Sequence, residues 1–372
     1  MQTSTKIDWI ERVQSIGNQL TENGIKSDQN AVFVEENYSL LKELGVFTAT
    51  IPMELGGAGV SHSTMCEIIK HVAQYDASTA LAMSMHQHLL ATMIWKYQQG
   101  KGGEETLMKI ADKNLVLIST GARDWLDSNG EMRRTKGGYL MSGYKHFASQ
   151  SIYGDLAVTS APFNHETEGD QVLHFAVPMK SEGVSLLNDW DTMGMRGTGS
   201  QTIVFKDVFV PESSISLVRR QGAFHPFWNI VLGVAMPFIM SAYVGIAKKA
   251  FNITKEGLQK QKSLKPHIAY QLGEMYNELC KAEVMHKDMV ALANDLKLQP
   301  VDRLGVEVLT RKTNVANACI SVVSKAFDTL GGKAYYRKTG IERLFKDVQG
   351  ARYHPLSEKD QQSFVGEYLL KN

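Results

Sequence analysis

Three groups of residues carry the chemistry this sequence can offer. His354 stands in the run Tyr353-His354-Pro355-Leu356. An imidazole titrates close to neutrality, so His354 is a natural proton-transfer group at physiological pH. It also reads as an exposed loop histidine beside a proline, and both readings stay open at this point. His86 and His88 lie in Met85-His86-Gln87-His88. Two positions apart on a helix they point to different sides, and no carboxylate cluster joins them, so a metal pair is not expected. Glu342, Arg343 and Asp347 recur at helical spacing in Gly340-Ile341-Glu342-Arg343-Leu344-Phe345-Lys346-Asp347. That pattern reads as structural charge pairing in a helix or interface. The three cysteines, Cys66, Cys280 and Cys319, lie too far apart for a metal knuckle or a disulfide framework and suit a reducing, cytoplasmic compartment.

These residues need a scaffold, and 372 residues are enough for one large fold or several domains. A net charge of +1 argues against a nucleic-acid or acidic-membrane partner. Met1 to Trp9 lacks the apolar core of a signal peptide. Helical periodicity fills the first third: Ile10, Val13 and Leu20 with Gly24 as a stop, a helix ending at Gly45, then Met65–Tyr75 and Ser78–Tyr97. From about Asn114 the texture changes to short β-rich runs: Leu115–Ile118, Tyr139–Ser142, Leu156–Ser160, Val172–Val177, Val184–Leu187 and Thr202–Val210. Helices return from Phe227, including a long one striped by Val308, Val315, Cys319, Val322, Ala326 and Leu330. The expected domains are residues 1–114, helical; 115–222, all-β; and 223–372, a helical bundle. No βαβ alternation occurs, which argues against a doubly wound sheet. Ile230–Ala247 is apolar for nearly a membrane span. Gly233, Pro237, Ser241, Tyr243 and Gly245 interrupt it, so a buried core helix is expected.

Four segments, in order, resemble the acyl-CoA dehydrogenase superfamily. The first is Leu44-Gly45-Val46 with Ile51-Pro52-Met53-Glu54-Leu55-Gly56-Gly57-Ala58-Gly59. The second is Gly137-Gly138-Tyr139 through Lys145-His146-Phe147-Ala148-Ser149-Gln150. The third is Met193-Gly194-Met195-Arg196-Gly197-Thr198-Gly199-Ser200, followed by Phe205-Lys206-Asp207-Val208-Phe209-Val210-Pro211. The fourth is Leu330-Gly331-Gly332-Lys333-Ala334-Tyr335 with the Gly340–Asp347 helix. The resemblance implies a mainly α fold with a central β domain: N-terminal helices, a middle β-barrel-like domain and a C-terminal helical bundle. It also implies a flavin cofactor at a subunit interface in a homodimer or homotetramer.

Carried over residue by residue, the resemblance puts Phe147, Ala148 and Ser149 against the flavin. The Phe147 ring would pack on the isoalloxazine and the Ser149 hydroxyl would lie near N5. Gly331 and Gly332 would let a neighbouring subunit's flavin approach the backbone. His86, Arg196 and Thr198 fall near the substrate.

Two departures bear on the reaction. Many members carry a catalytic glutamate soon after the signature helix, and here that position is Pro355. Others place the base on the first long C-terminal helix, and Phe227–Phe251 holds no Asp or Glu. The Arg-x-x-Phe-Gly motif that holds FAD pyrophosphate is also missing. Thr254–Gln271 offers Lys255, Lys260, Lys262 and Lys265 instead. FAD is expected, with FMN as an option.

The main expectation is Cα–Cβ oxidation of an acyl-CoA thioester with hydride transfer to flavin N5, in fatty acid metabolism, with His354 as the candidate base. The alternative is a monooxygenase of the same fold, supplied with reduced flavin by a partner reductase, in which His354 assists protonation. Met193 to Thr198 is similar to that flavin-monooxygenase branch. A flavin-free, inactive scaffold is a third reading.

Overall fold

In the computed structural model, residues 8–121 and 126–371 are described; most of the Met1–Trp9 segment lies outside them. Six helices come first: α1 (Trp9–Ser15), α2 (Gly17–Asn30), α3 (Glu35–Glu43), α4 (His62–Tyr75), α5 (Ala77–Gln98) and α6 (Glu104–Lys113). Eight strands follow: β1 (Leu117–Ser119), β2 (Glu131–Thr135), β3 (Gly138–Lys145), β4 (Leu156–His165), β5 (Gly169–Pro178), β6 (Val184–Leu186), β7 (Ile203–Pro211) and β8 (Leu217–Arg220). The chain closes with α7 (Phe227–Gln259), α8 (Pro266–Ala293), α9 (Asp302–Leu330), α10 (Ile341–Val348) and α11 (Glu358–Lys371). This is the expected mainly helical fold with a central β domain.

The strands form two four-stranded sheets, ordered β1-β4-β5-β8 and β2-β3-β7-β6. Strands β2 and β8 escaped the periodicity reading because Glu131-Met132-Arg133-Arg134-Thr135 and Leu217-Val218-Arg219-Arg220 are charge-rich and lie at sheet edges. Phe205 and Val208 both reach the β core although they are three apart. An extra residue in β7, where Asp207 takes φ 50°, restores the alternation.

One apolar core runs through both helical blocks. Gly24 is not a helix stop. It lies buried inside α2, where a Cβ would sit 2.2 Å from Asp76 Oδ1; the helix ends at Ala31 instead. The apolar window of α7 is 94% buried, as a core helix requires. Pro237 in α7 gives up one helical hydrogen bond. Nearby carbonyls are bonded from outside: His62 Nε2 donates to Val234 O at 2.9 Å and His286 Nε2 to Pro237 O at 3.1 Å.

Candidate functional site

The segment after β3 turns sharply, with Phe147 and Gln150 at φ 58° and 60°. Its fold is fixed from three sides. Ala148 N–H donates to Gln201 O at 3.3 Å and Gln150 N–H to Thr198 O at 2.8 Å. Gln150 Nε2 donates to Leu117 O at 2.6 Å, and the buried Tyr38 hydroxyl donates to Gln150 Oε1. The Phe147 ring is left exposed, edge-on to Trp190 with centroids 6.3 Å apart. Ser149 Oγ lies 2.9 Å from Ser200 Oγ, which lies 2.7 Å from Thr198 Oγ1. Phe147, Ser149 and Thr198 are thus brought together, and Ser200, which the sequence reading missed, joins their hydroxyl row.

Thr198 and Arg196 share a short 3-10 turn whose loop is pinned by both helical blocks. Met195 N–H donates to Asp347 Oδ1 at 2.6 Å, and Val34 N–H to Gly197 O at 3.2 Å. Gly194 and Gly197 permit these contacts. A Cβ would lie 2.3 Å from Lys346 O at the first and 2.8 Å from Val34 Cγ1 at the second. Arg196 Nε is buried and has no hydrogen-bond partner among the described residues.

His354 is not an exposed loop residue. Its ring is half-buried, and Nε2 lies 2.7 Å from the hydroxyl of Tyr243, a fully buried residue of α7. Lys312 of α9, also buried, donates to His354 O and Leu356 O, both at 2.8 Å. Burial, and then the Lys312 ammonium, push the His354 imidazole down to about 3, so it is neutral at working pH. Burial lowers Lys312 itself to about 8. Gly350 links this assembly to the Arg196 loop: a Cβ there would meet Tyr243 Oη at 2.7 Å and Met195 Cγ at 3.6 Å. Tyr243 and Lys312 each left a trace in the sequence. Tyr243 carries a polar tip in an apolar run, and Lys312 falls in register with the Val308–Val315 stripe.

His86 requires a correction. It is fully buried and both ring nitrogens are engaged: Nε2 donates to Phe47 O at 2.9 Å and Nδ1 accepts from Leu117 N–H at 3.0 Å. Burial lowers its pKa to about 4. It ties α5 to the 46–51 loop and to β1, and neither nitrogen is left for a substrate. Gly331 and Gly332 form an open turn after α9, about 28 Å along the helix axis from Lys312. Lys255, Lys260, Lys262 and Lys265 are exposed and make no ion pair among the described residues. No group of three or more potential metal ligands occurs among the described residues.

Three acyl-CoA dehydrogenase family profiles match in order: the N-terminal domain over residues 14–114, the middle domain over 124–208 and the C-terminal domain over 238–358. Among curated relatives, YdbM of Bacillus subtilis (strain 168), provisionally named an acyl-CoA dehydrogenase, is 26% identical over 95% of this chain and 94% of its own. A dibenzothiophene monooxygenase of Mycolicibacterium goodii is 24% identical over 99% and 95%. Among solved structures, KijD3 in complex with FMN and a dTDP-linked amino sugar superposes with a TM-score of 0.89 at 24% identity, over 98% of this chain and 93% of that one.

Proposed function

The chain belongs to the acyl-CoA dehydrogenase family, and on that premise we propose that it is a flavin-dependent monooxygenase using reduced FMN and dioxygen. One observation carries the reading: neither position of the family's α-proton base holds a carboxylate. Pro355 takes one of them. Along the full length of α7 the lone acid is Glu256, about 20 Å along the axis from Tyr243. The nearby His354, with a pKa near 3 and Nε2 against a phenol, is a poor base. The main expectation from the sequence, oxidation of an acyl-CoA thioester, therefore gives way to oxygenation, which needs no such base. The dibenzothiophene monooxygenase and the FMN-bound KijD3 support the same reading.

The residues fit a flavin. The exposed Phe147 ring offers a stacking face, and Ala148 and Ser149 would line the ring's edge. FMN is favoured over FAD because the Thr254–Gln271 segment presents no arginine and its lysines are exposed, so no pyrophosphate cradle is built there. Gly331 and Gly332, far along α9, would serve a flavin bound to a second copy in a homodimer or homotetramer. When bound, reduced FMN supplies two electrons; one oxygen atom goes to the substrate and the other leaves as water. Arg196, with its unpartnered Nε, and Thr198 would orient a small organic substrate. His354 would donate a hydrogen bond to oxygen.

The test begins with the absorption spectrum after reconstitution with FMN. A protein that stays colourless with both FMN and FAD is the inactive scaffold. A yellow protein is then mixed with acyl-CoA thioesters without oxygen; flavin bleaching would overturn the proposal in favour of dehydrogenation. Oxygen uptake coupled to oxidation of dibenzothiophene or an amino sugar, only with a flavin reductase present, is the expected result.

A further inference from the structure

We propose that Tyr243 is a positioning residue that holds His354 as the Nδ1–H tautomer, so that His354 meets its substrate as a hydrogen-bond donor and not as a base. The inference rests on the reading of His354 as a site residue and adds which nitrogen works and what it can do. Tyr243 is fully buried in the middle of α7. A buried phenol must find a partner for its hydroxyl, and burial raises its pKa well above the usual value, so it keeps its proton. Among the described residues that partner is His354 Nε2, at 2.7 Å. The O–H therefore donates, Nε2 accepts, and the single proton of a neutral imidazole must sit on Nδ1. Nδ1 has no hydrogen-bond partner among the described residues.

The rest of the assembly keeps the ring from turning away. Lys312 Nζ holds the carbonyls on either side of Pro355, His354 O and Leu356 O, each at 2.8 Å. A Cβ at position 350 would lie 2.7 Å from the Tyr243 hydroxyl, so glycine there lets the phenol stay in place without a shift. The arrangement has a chemical consequence. The basic nitrogen is the one that Tyr243 occupies, so proton abstraction by His354 would first require that bond to break. Donation from Nδ1–H requires no rearrangement. A donor fits a reaction that develops negative charge on oxygen, as oxygen transfer does.

The test is nitrogen NMR on protein carrying ring-labelled histidine, with the His354 signals assigned by their loss in His354→Gln. In the wild-type protein near neutral pH we expect a pyrrole-like Nδ1 and a pyridine-like Nε2. A wild-type spectrum with the proton on Nε2 overturns the inference without any variant. In Tyr243→Phe the single tautomer should give way to a mixture; an unchanged spectrum in that variant also overturns it. Circular dichroism checks that the variant folds, and if it does not, the wild-type spectrum decides alone. FMN binding and oxygen uptake measured on the same wild-type sample separate the two claims. An active oxygenase with the wrong tautomer sinks the role of Tyr243 and leaves the function. The expected tautomer in a protein that binds no FMN supports Tyr243 holding the ring and sinks the function.

Discussion

The Asp347 carboxylate accepts the Met195 backbone N–H at 2.6 Å across 152 residues of sequence, joining α10 to the glycine-rich loop of the β domain. Arg343, one helical turn earlier, lies 3.6 Å from Asp347 Oδ2 and donates to Asp76. Asp76 in turn caps α5 by accepting Thr79 N–H at 2.8 Å. One arginine thus ties α10 to the N-terminal block, and its neighbour Asp347 reaches the middle domain. The charge pairing expected of this segment is a three-way joint.

Arg343→Ala should destabilise the fold by about 3 kcal/mol, because it leaves two buried carboxylates without their cation. Glu342→Ala should cost less, about 0.5 kcal/mol, since its pair with Lys346 is partly solvated and Lys346 keeps Asp28 as a second partner. Thermal or urea unfolding of the two variants checks the contrast; equal losses would refute the joint.

Gly194→Ala should cost about 1–3 kcal/mol, because the new Cβ would lie 2.3 Å from Lys346 O, a backbone atom that cannot rotate away. Gly332→Ala, in open space, should be near neutral in stability. Urea midpoints for the two variants measure the difference.

Stability should fall as the solution is acidified. Burial depresses His62, His86, His88 and His286 to about 4 from the ordinary 6.5. A group with a lowered folded pKa contributes stability that is present above its unfolded value and lost as pH falls toward the folded one. Each contributes at most about 1.4 kcal/mol per pH unit between 6.5 and 4. Asp347, raised to about 6 by burial, acts in the opposite direction and is outnumbered. A melting temperature that does not drop between about pH 7 and pH 4.5 would contradict this.

Phe147→Ala should weaken FMN binding about tenfold, the loss of one aromatic stacking contact worth about 1.4 kcal/mol. Quenching of FMN fluorescence on titration gives the ratio of dissociation constants. Phe209→Ala, another exposed aromatic of the β domain, should leave FMN affinity unchanged.

His354→Gln should lower reduced-FMN-dependent substrate oxidation by about 100-fold, the usual scale for losing one hydrogen-bond donor to a developing oxyanion, with FMN affinity kept. Full turnover in this variant would remove His354 from the site.

Much of this protein was legible in its residues. The order of helices, strands and helices follows from periodicity alone, because a helix face and a strand face must each repeat their apolar residues at a fixed spacing. The stripe from Val308 to Leu330 lies on α9, and the apolar run at Ile230–Ala247 became the buried core helix α7. Edge strands β2 and β8 were not legible, since their charged residues break the apolar pattern that the other two edge strands, β1 and β6, keep. Gly24 looked like a stop because sequence shows a missing side chain but not the Asp76 carboxylate that requires it to be missing.

The sequence by itself determined the family and the absence of a carboxylate at Pro355 and along Phe227–Phe251, since both are matters of residue identity. Only the tertiary structure decided what each histidine can do. His86 and His354 have the same side chain. The first has both nitrogens consumed by backbone groups from two other elements; the second has one nitrogen held by Tyr243, 111 residues away. A histidine's chemistry is set by what meets its two nitrogens, and those partners arrive only when the chain folds.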